Sequence, residues 1–499
     1  MAEGIDHAMK VPPRGAVARM YCTGLGDCFL LGFPDEAGEP AFMLIDCGVL
    51  QGSREARPWM QKIMRSIVAA TGERGVEVLV ATHKHWDHLS GFQQAAGEFR
   101  RLRVKRVWLS WPESPTHPAA LQLAVQEEKA LRAIRAVALG LAETDPGLAD
   151  DMRKLLGFDF GVDDDVLLGA PTSTAELLEL VRERDEDPLY LEPCLEPQRL
   201  EAVPGVNFYV LGPPTDLTLL RKSDPSSSAG SEVYTSATAS DELGALFAAA
   251  ALRIRHEPTT AEEWAMLEFS YPFEADYGTV TKKAAQHSEH GEFFRRRYGF
   301  AADEGESWRR IDNSWLRGVE QLALNFNNYR NNTSLALAIE LGDGGPVLLF
   351  PGDAQVGNWL SWHRLEGSPS AEDLLRRTTL YKVGHHASHN ATLRKKGLEL
   401  MTRRSRLVAM ISVDEKQAHN PKGRNREGWD MPHATLLREL EKRTEGRVLR
   451  ADLGVPLLDR DEVPEGWSHT KWEAFRDDTL VARDPDSGRL FFVQYTVRP

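Results

Sequence analysis

The run Val76-Glu77-Val78-Leu79-Val80-Ala81-Thr82-His83-Lys84-His85-Trp86-Asp87-His88 decides how the rest of the chain reads. Its first six residues are apolar apart from Glu77, which predicts a strand buried on both faces. The strand leads straight into three histidines and an aspartate. In α/β proteins, sites form beyond the carboxyl ends of such strands. In an extended loop, residues two apart point the same way, so His83 and His85 can grip one ion. Asp87 and His88 then face a neighbouring position. Imidazole and carboxylate are natural zinc ligands, at about 2.0–2.2 Å. With 15 histidines in 499 residues, chance yields this spacing on the order of once in a thousand chains. A metal site is therefore expected.

Working outward, Val17 to Cys22, Cys28 to Phe33 and Ala41 to Ile45 read as short strands. They are broken by Gly24-Leu25-Gly26-Asp27 and Pro34-Asp35. Trp59 to Ala70 and Phe92 to Phe99 have helical character, and Val107 to Leu109 is a further strand. After Trp111-Pro112-Glu113 the composition shifts to helix formers, in Ala119 to Leu141, Leu148 to Leu156 and Thr174 to Arg184. Val206 to Leu211 returns as a strand. A Ser-rich stretch, Lys222 to Ser240, reads as flexible. Helical segments follow at Leu243 to His256, Ala261 to Leu267 and Trp315 to Leu324. A second block then alternates, with strands at Ser334 to Ile339, Val347 to Phe350, Thr379 to Val383 and Leu407 to Val413. Helices fit Ala371 to Arg377 and Ala434 to Arg443. Leu480 to Val497 reads as a hairpin turning at Asp484 to Gly488. Two β-rich blocks separated by helical segments predict an α/β fold of two packed sheets with helices outside.

Composition is that of a globular protein, 42% hydrophobic and 27% charged. No apolar run approaches the roughly 20 residues that span a bilayer. Met1 to Lys10 has no apolar stretch of the secretory kind, so a cytoplasmic location is expected. Cys22, Cys28, Cys47 and Cys194 form no metal-finger spacing. A net charge of −14 argues against a surface that binds polyanions generally. It leaves room for local basic runs at Arg100 to Arg106, Arg295 to Arg297 and Lys422 to Arg426.

The segment His83 to His88 resembles the HxHxDH signature of the metallo-β-lactamase superfamily. Other segments resemble that family's motifs in the same order. Leu44-Ile45-Asp46-Cys47-Gly48 is similar to the early strand whose Asp supports the ligating histidines. Leu348 to Ala354 is similar to the strand ending in a metal-bridging carboxylate, here Asp353. Leu380 to Ser388 is similar to the late strand that supplies the last histidine, here His385 or His386. Gly24-x-Gly26-Asp27-Cys28, Asn332-x-Ser334-Leu335 and His385-His386-x-Ser388 resemble the soluble domain of ComEC-type DNA-uptake competence proteins. That subgroup also includes phosphodiesterase-like relatives. In ComEC proteins the domain stands beside a membrane channel, which this sequence lacks, so the resemblance implies fold and metal chemistry rather than DNA transport.

The resemblance implies an αββα metallo-β-lactamase sandwich with two mainly helical insertions. Residues 12–114 are its first half, 115–200 a helical insertion and 201–214 a core strand. Residues 215–324 are a second, partly flexible helical insertion. Residues 325–460 are the second half, and 461–499 a C-terminal extension with a β-hairpin. The implied ligands are His83, His85, Asp87, His88, Asp353 and one of His385 and His386, holding one or two Zn2+ ions, with Mn2+ as the alternative. Asp27, Asp46, Asn332, Ser334 and Glu113 are expected as supporting or substrate-facing residues. In one respect the sequence departs from the family pattern. Many members carry a further ligand histidine before the bridging Asp, where this chain offers Glu113 and His117, or His256, His287 and His290 in the insertions.

The implied chemistry is hydrolysis by a metal-bound hydroxide, with two cations about 3.5–4 Å apart. Asp87 orients the nucleophile, and the spare member of the His385/His386 pair hydrogen-bonds the substrate oxygen or protonates the leaving group. A phosphodiesterase or nuclease is the leading expectation. One alternative is a hydrolase of a small ester, lactone or thioester. Another is a metal-stabilised interaction module that binds a protein partner through the insertions, with little or no catalysis.

Overall fold

The computed structural model describes residues 5–127, 174–222, 282–298, 328–419, 428–460 and 462–499. The first sheet contains β1 (Ala16–Tyr21), β2 (Phe29–Pro34), β3 (Pro40–Ile45), β4 (Val76–Ala81), β5 (Val104–Ser110) and β6 (Leu189–Leu191). The second contains β7 (Cys194–Gln198), β8 (Val206–Gly212), β9 (Ala336–Leu341), β10 (Val347–Phe350), β11 (Thr378–Lys382), β12 (Val408–Ile411) and β13 (Val448–Arg450). The chain then returns to the first sheet with β14 (Thr479–Arg483) and β15 (Leu490–Val497). The strand orders are β14-β15-β1-β2-β3-β4-β5-β6 and β13-β12-β11-β10-β9-β8-β7. Both sheets are mixed: β3 to β6 run parallel, as do β10 to β13, and the remaining pairs are antiparallel.

The uninterrupted apolar run of β4 follows from its place between two cores. Val78 and Val80 face the space between the sheets, while Leu79 and Ala81 face helices on the outside. Strand β9 alternates likewise, Leu337 and Ile339 inward, Ala336 and Ala338 outward. Edge-to-face aromatic pairs lock the sheets together. Phe29 meets Phe350 at 5.5 Å between ring centroids, and Phe208 meets Phe33 at 5.8 Å and Trp108 at 5.5 Å. Two helices, α1 (Ala56–Thr71) and α2 (Trp86–Gln94), cover the outer face of the first sheet together with the helix Thr174–Arg182. Helices Val356–Trp362, Ala371–Arg376 and Ala434–Arg443 cover the second. The layers therefore run helix, sheet, sheet, helix, a mixed α/β sandwich.

Three regions differ from expectation. Helix α2 begins at Trp86, inside the histidine cluster. His85 caps it in an extended conformation with no side-chain hydrogen bond to the helix amides, so the usual Ser, Thr, Asp or Asn start signal is missing. Within 115–200, expected as a helical insertion, residues 118–127 and 174–182 are helical, but Leu189–Leu191 and Cys194–Gln198 are strands. Each pairs with the strand at an open end of one sheet, β5 or β8. Residues 461–499, expected as an extension with a β-hairpin, form that hairpin, and its strands join the first sheet, where β15 satisfies the backbone edge of β1. Residues 123–127 and 282–298 belong to a second compact unit. The helices expected at Leu148 to Leu156, Leu243 to His256, Ala261 to Leu267 and Trp315 to Leu324 lie outside the described residues, as do Ser223 to Ser240. No helix among the described residues is long and apolar enough to cross a membrane.

Candidate metal centre

Strands β3 and β4 are parallel neighbours, so their carboxyl ends lie side by side. Beyond β3, Asp46 adopts a left-handed conformation, φ 56°. Its carboxylate accepts hydrogen bonds from the Thr82 amide at 2.8 Å and the Thr82 hydroxyl at 2.7 Å. It also lies 2.7 Å from His88 Nδ1. That contact places the Nδ1 proton and aims Nε2 away, the usual way a carboxylate orients a ligating imidazole. Gly48 permits the approach. A Cβ there would lie 2.1 Å from the Asp87 carbonyl carbon and 2.4 Å from the His88 nitrogen.

From the second sheet, β10 leads through Gly352 to Asp353, and β11 leads through Lys382 to the two histidines. His385, His386 and Ala387 have φ of 43°, 52° and 64°, a run of left-handed non-glycine residues. Each costs on the order of 1–2 kcal/mol. Strain of this kind persists where surrounding contacts enforce it, and it collects at functional sites. The turn separates the two imidazoles. His386 Nδ1 contacts the Ser412 carbonyl and its Nε2 lies 2.9 Å from Asp87 Oδ2. His385 turns instead to Ser388 Oγ, 2.8 Å from Nδ1, and Asn331 Nδ2, 3.4 Å from Nε2. Because Ser388 Oγ donates to Asn390, it accepts from His385 Nδ1–H, which leaves His385 Nε2 an acceptor.

The two sheets together assemble a buried group. One ligand atom each from Asp87, His88, Asp353 and His386 lie within 4.8 Å of one another. His88 Nε2 is 3.2 Å from Asp353 Oδ2 and 3.7 Å from Asp87 Oδ2. His83 and His85 stand beside it, His83 Nε2 being 2.9 Å from His85 Nδ1 and the His83 ring 4.3 Å from that of His88. His85 Nε2 is buried with no hydrogen-bond partner among the described residues.

Electrostatics divide the histidines. Burial pushes His83 and His85 well below the ordinary imidazole range, helped by His88 at His83 and by Arg330 at His85, so both are neutral imidazoles, the form a metal requires. Burial also pushes His385 down, to about 4. Burial opposes charge on His88, but Asp353, Asp87 and Asp46 outweigh it and hold its pKa well above the usual value. His386 is raised too, its burial outweighed by the Asp87 hydrogen bond. Burial works against the Asp353 carboxylate, yet Lys382 and His88 hold it well below its usual range. Protons on His88 and His386 thus stand where a cation would otherwise face Asp353 and Asp87. The mixed imidazole–carboxylate donor set and the unpartnered His85 Nε2 fit a divalent metal ion.

The other expected residues fall into place around this group. Ser334 Oγ accepts from the Asp353 amide at 3.0 Å. Asn332 Oδ1 accepts from the Gln355 and Asn358 amides, so it builds the loop after β10 and does not touch the cluster. Asp27 is ion-paired with Lys382. Glu113 pairs with Lys84 at 3.2 Å, apart from the cluster. His117 packs on Trp111, with 5.0 Å between the rings, and is partly exposed. His287 and His290 belong to the second unit and His256 lies outside the described residues. Sequence reading missed Thr82, Lys382, Asn331 and Ser412. Only Lys382 left a trace, as a charge inside an apolar strand. No protein-family model matches the sequence, and no curated protein or solved structure matches it.

Proposed function

We propose that the protein is a metal-dependent hydrolase of the metallo-β-lactamase superfamily, acting on phosphodiesters. The observation that carries the reading is the buried Asp87–His88–Asp353–His386 group, drawn from both sheets at the strand ends. The αββα order of layers and the His83/His85 pair beside the group also support it. The substrate class rests on the resemblance to phosphodiesterase-like relatives.

Asp87, His88, Asp353 and His386 would hold one ion, zinc first and manganese as the alternative. His83 and His85, 2.9 Å apart through Nε2 and Nδ1, stand beside that group without joining it and would be the donors available to a second ion. A bound divalent ion lowers the pKa of water and stabilises negative charge on the group under attack. Asp46 keeps His88 Nε2 directed at the site, and Ser334 and Lys382 fix Asp353. His385, held neutral with a pKa of about 4 and with Asn331 Nδ2 3.4 Å from its Nε2, is a poor base and would position rather than deprotonate the nucleophile.

A second reading, hydrolysis of a small ester, lactone or thioester, is favoured by the placement of one basic run. Arg100 to Arg106 lies at the start of β5, whereas the site lies beyond the ends of the parallel strands. There Lys105 pairs with Glu77 and Arg106 with Asp185. Of the other runs, Arg295 to Arg297 is in the second unit and Lys422 to Arg426 lies outside the described residues. The deciding experiment offers bis(p-nitrophenyl) phosphate, DNA and RNA beside simple ester and thioester substrates, with Asp353→Ala as control. Phosphodiester turnover lost in the variant supports the first reading. Ester turnover alone supports the second, and metal binding without turnover supports an interaction module.

A further inference from the structure

Beside the candidate metal group lies a second buried group, Asp27, Asp46 and His88, whose ligand atoms also fall within 4.8 Å of one another. The structure already supplies it with a cation. Lys382, 1% exposed, ion-pairs with Asp27 Oδ2 and, at 3.1 Å, with Asp353 Oδ1. Its third donor reaches the Gly352 carbonyl at 2.9 Å. An ammonium has three N–H groups and no acceptor. Here all three are spent on three oxygens, so Lys382 has no proton direction left for substrate.

The consequence for Asp353 is directional. Oδ1 receives Lys382 and the His385 backbone N–H, the latter at 2.9 Å. Oδ2 alone faces His88 Nε2 and the metal group. Asp27 is in turn held by Lys382 through Oδ2, while Oδ1 is buried without a hydrogen-bond partner among the described residues. Two buried carboxylates and a carbonyl oxygen around one point form the donor set of a hard divalent cation. Unpaired, such carboxylates are costly to bury.

We propose that Lys382 is a resident, tethered cation. Its ammonium occupies a cation position between Asp27 and Asp353, and confines exchangeable divalent ions to the Oδ2 side of Asp353. The inference rests on the metal-centre reading only for the neighbouring ions. The Asp27–Lys382–Asp353 bridge itself is independent of it.

The test counts bound Mn2+ by elemental analysis after equilibrium dialysis of the full-length wild type, Lys382→Met and the double variant Asp27→Asn/Lys382→Met. Lys382→Met is expected to bind about one equivalent more than wild type, because the vacated oxygens take a hard cation. The double variant, lacking one of the two carboxylates, shows no such gain. Equal stoichiometry in wild type and Lys382→Met overturns the proposal. If Lys382→Met is recovered only by refolding, its yield should rise with Mn2+ but not with tetramethylammonium chloride at matched ionic strength. Equal yields in the two salts overturn it as well. Wild type that binds no divalent ion refutes the metal-centre reading, and the difference between variant and wild type still decides the role of Lys382.

Discussion

His386 Nε2 lies 2.9 Å from Asp87 Oδ2 although 299 positions separate the two residues. Asp87 stands in the first turn of α2, beyond the first sheet, and His386 in the left-handed turn beyond β11 of the second. The contact exists only when the two sheets are packed, so the buried His/Asp group is a product of the whole sandwich.

That contact separates the paired histidines. His386→Ala should weaken divalent-metal binding by at least about tenfold, the lower end of what even outer partners of ligands contribute. His385→Ala should retain it, since only the His385 backbone amide touches Asp353. Elemental analysis after dialysis reads both. Metal lost from the His385 variant and kept by the His386 variant would reverse the assignment.

Asp46 holds Thr82 and His88 at once. Asp46→Ala should lower metal affinity by about 10–100-fold, measured by competition with a chromophoric chelator. An unchanged affinity would mean that His88 is oriented by something else.

Gly48 lets the turn after β3 touch the start of α2. Gly48→Ala should destabilise the protein by about 1–3 kcal/mol, through forced backbone movement. Gly97 lies in the short helix Ala96–Phe99, and a Cβ there meets nothing within 4 Å. Gly97→Ala should instead stabilise by about 0.4–1 kcal/mol. Chemical denaturation compares the two, and similar losses would contradict the close approach.

Protons and metal compete for His88. Burial disfavours its charge, but Asp353, Asp87 and Asp46 raise its pKa well above the usual value in the metal-free fold. The sign follows. In the metal-free protein its charged form contributes stability fully below the unfolded pKa, about 6.5, and that contribution is lost as pH rises through the raised folded pKa. Metal must displace the proton, so metal affinity should rise with pH and loading at neutral pH should release protons. Titration calorimetry in two buffers of different ionisation enthalpy measures this. Identical apparent enthalpies would show that no proton leaves.

Much of the sandwich was legible because its signals are local. The apolar run of β4, the alternation of β9 and the turn residues around Gly24 to Asp27 each specify their element without help. The buried His/Asp group was legible in part because histidine and aspartate stand out directly after an apolar strand. What stayed hidden depends on approach in three dimensions. Lys382 reads as an intrusive charge in β11 until Asp27 arrives from the other sheet. Glu113 follows the next strand after the histidines, yet Lys84 captures it. The choice between His385 and His386 is made by three left-handed residues that carry no glycine. The basic run Arg100 to Arg106 has the right composition and the wrong end of its strand.

The pairing of β1 with β15 bears on how this protein is made. Ala16 sits opposite Val497, and Arg19 is bonded to Gln494 across the same seam. While a ribosome is still short of Leu490, β1 has β2 on one side and nothing on the other. An unpaired strand edge on a nascent chain invites pairing with other chains. The candidate metal-binding residues are all synthesised before that edge is paired. Nascent chains stalled ahead of Leu490 should therefore carry the buried His/Asp group yet depend on chaperones for solubility, and emergence of Leu490–Val497 is the step that pairs β1.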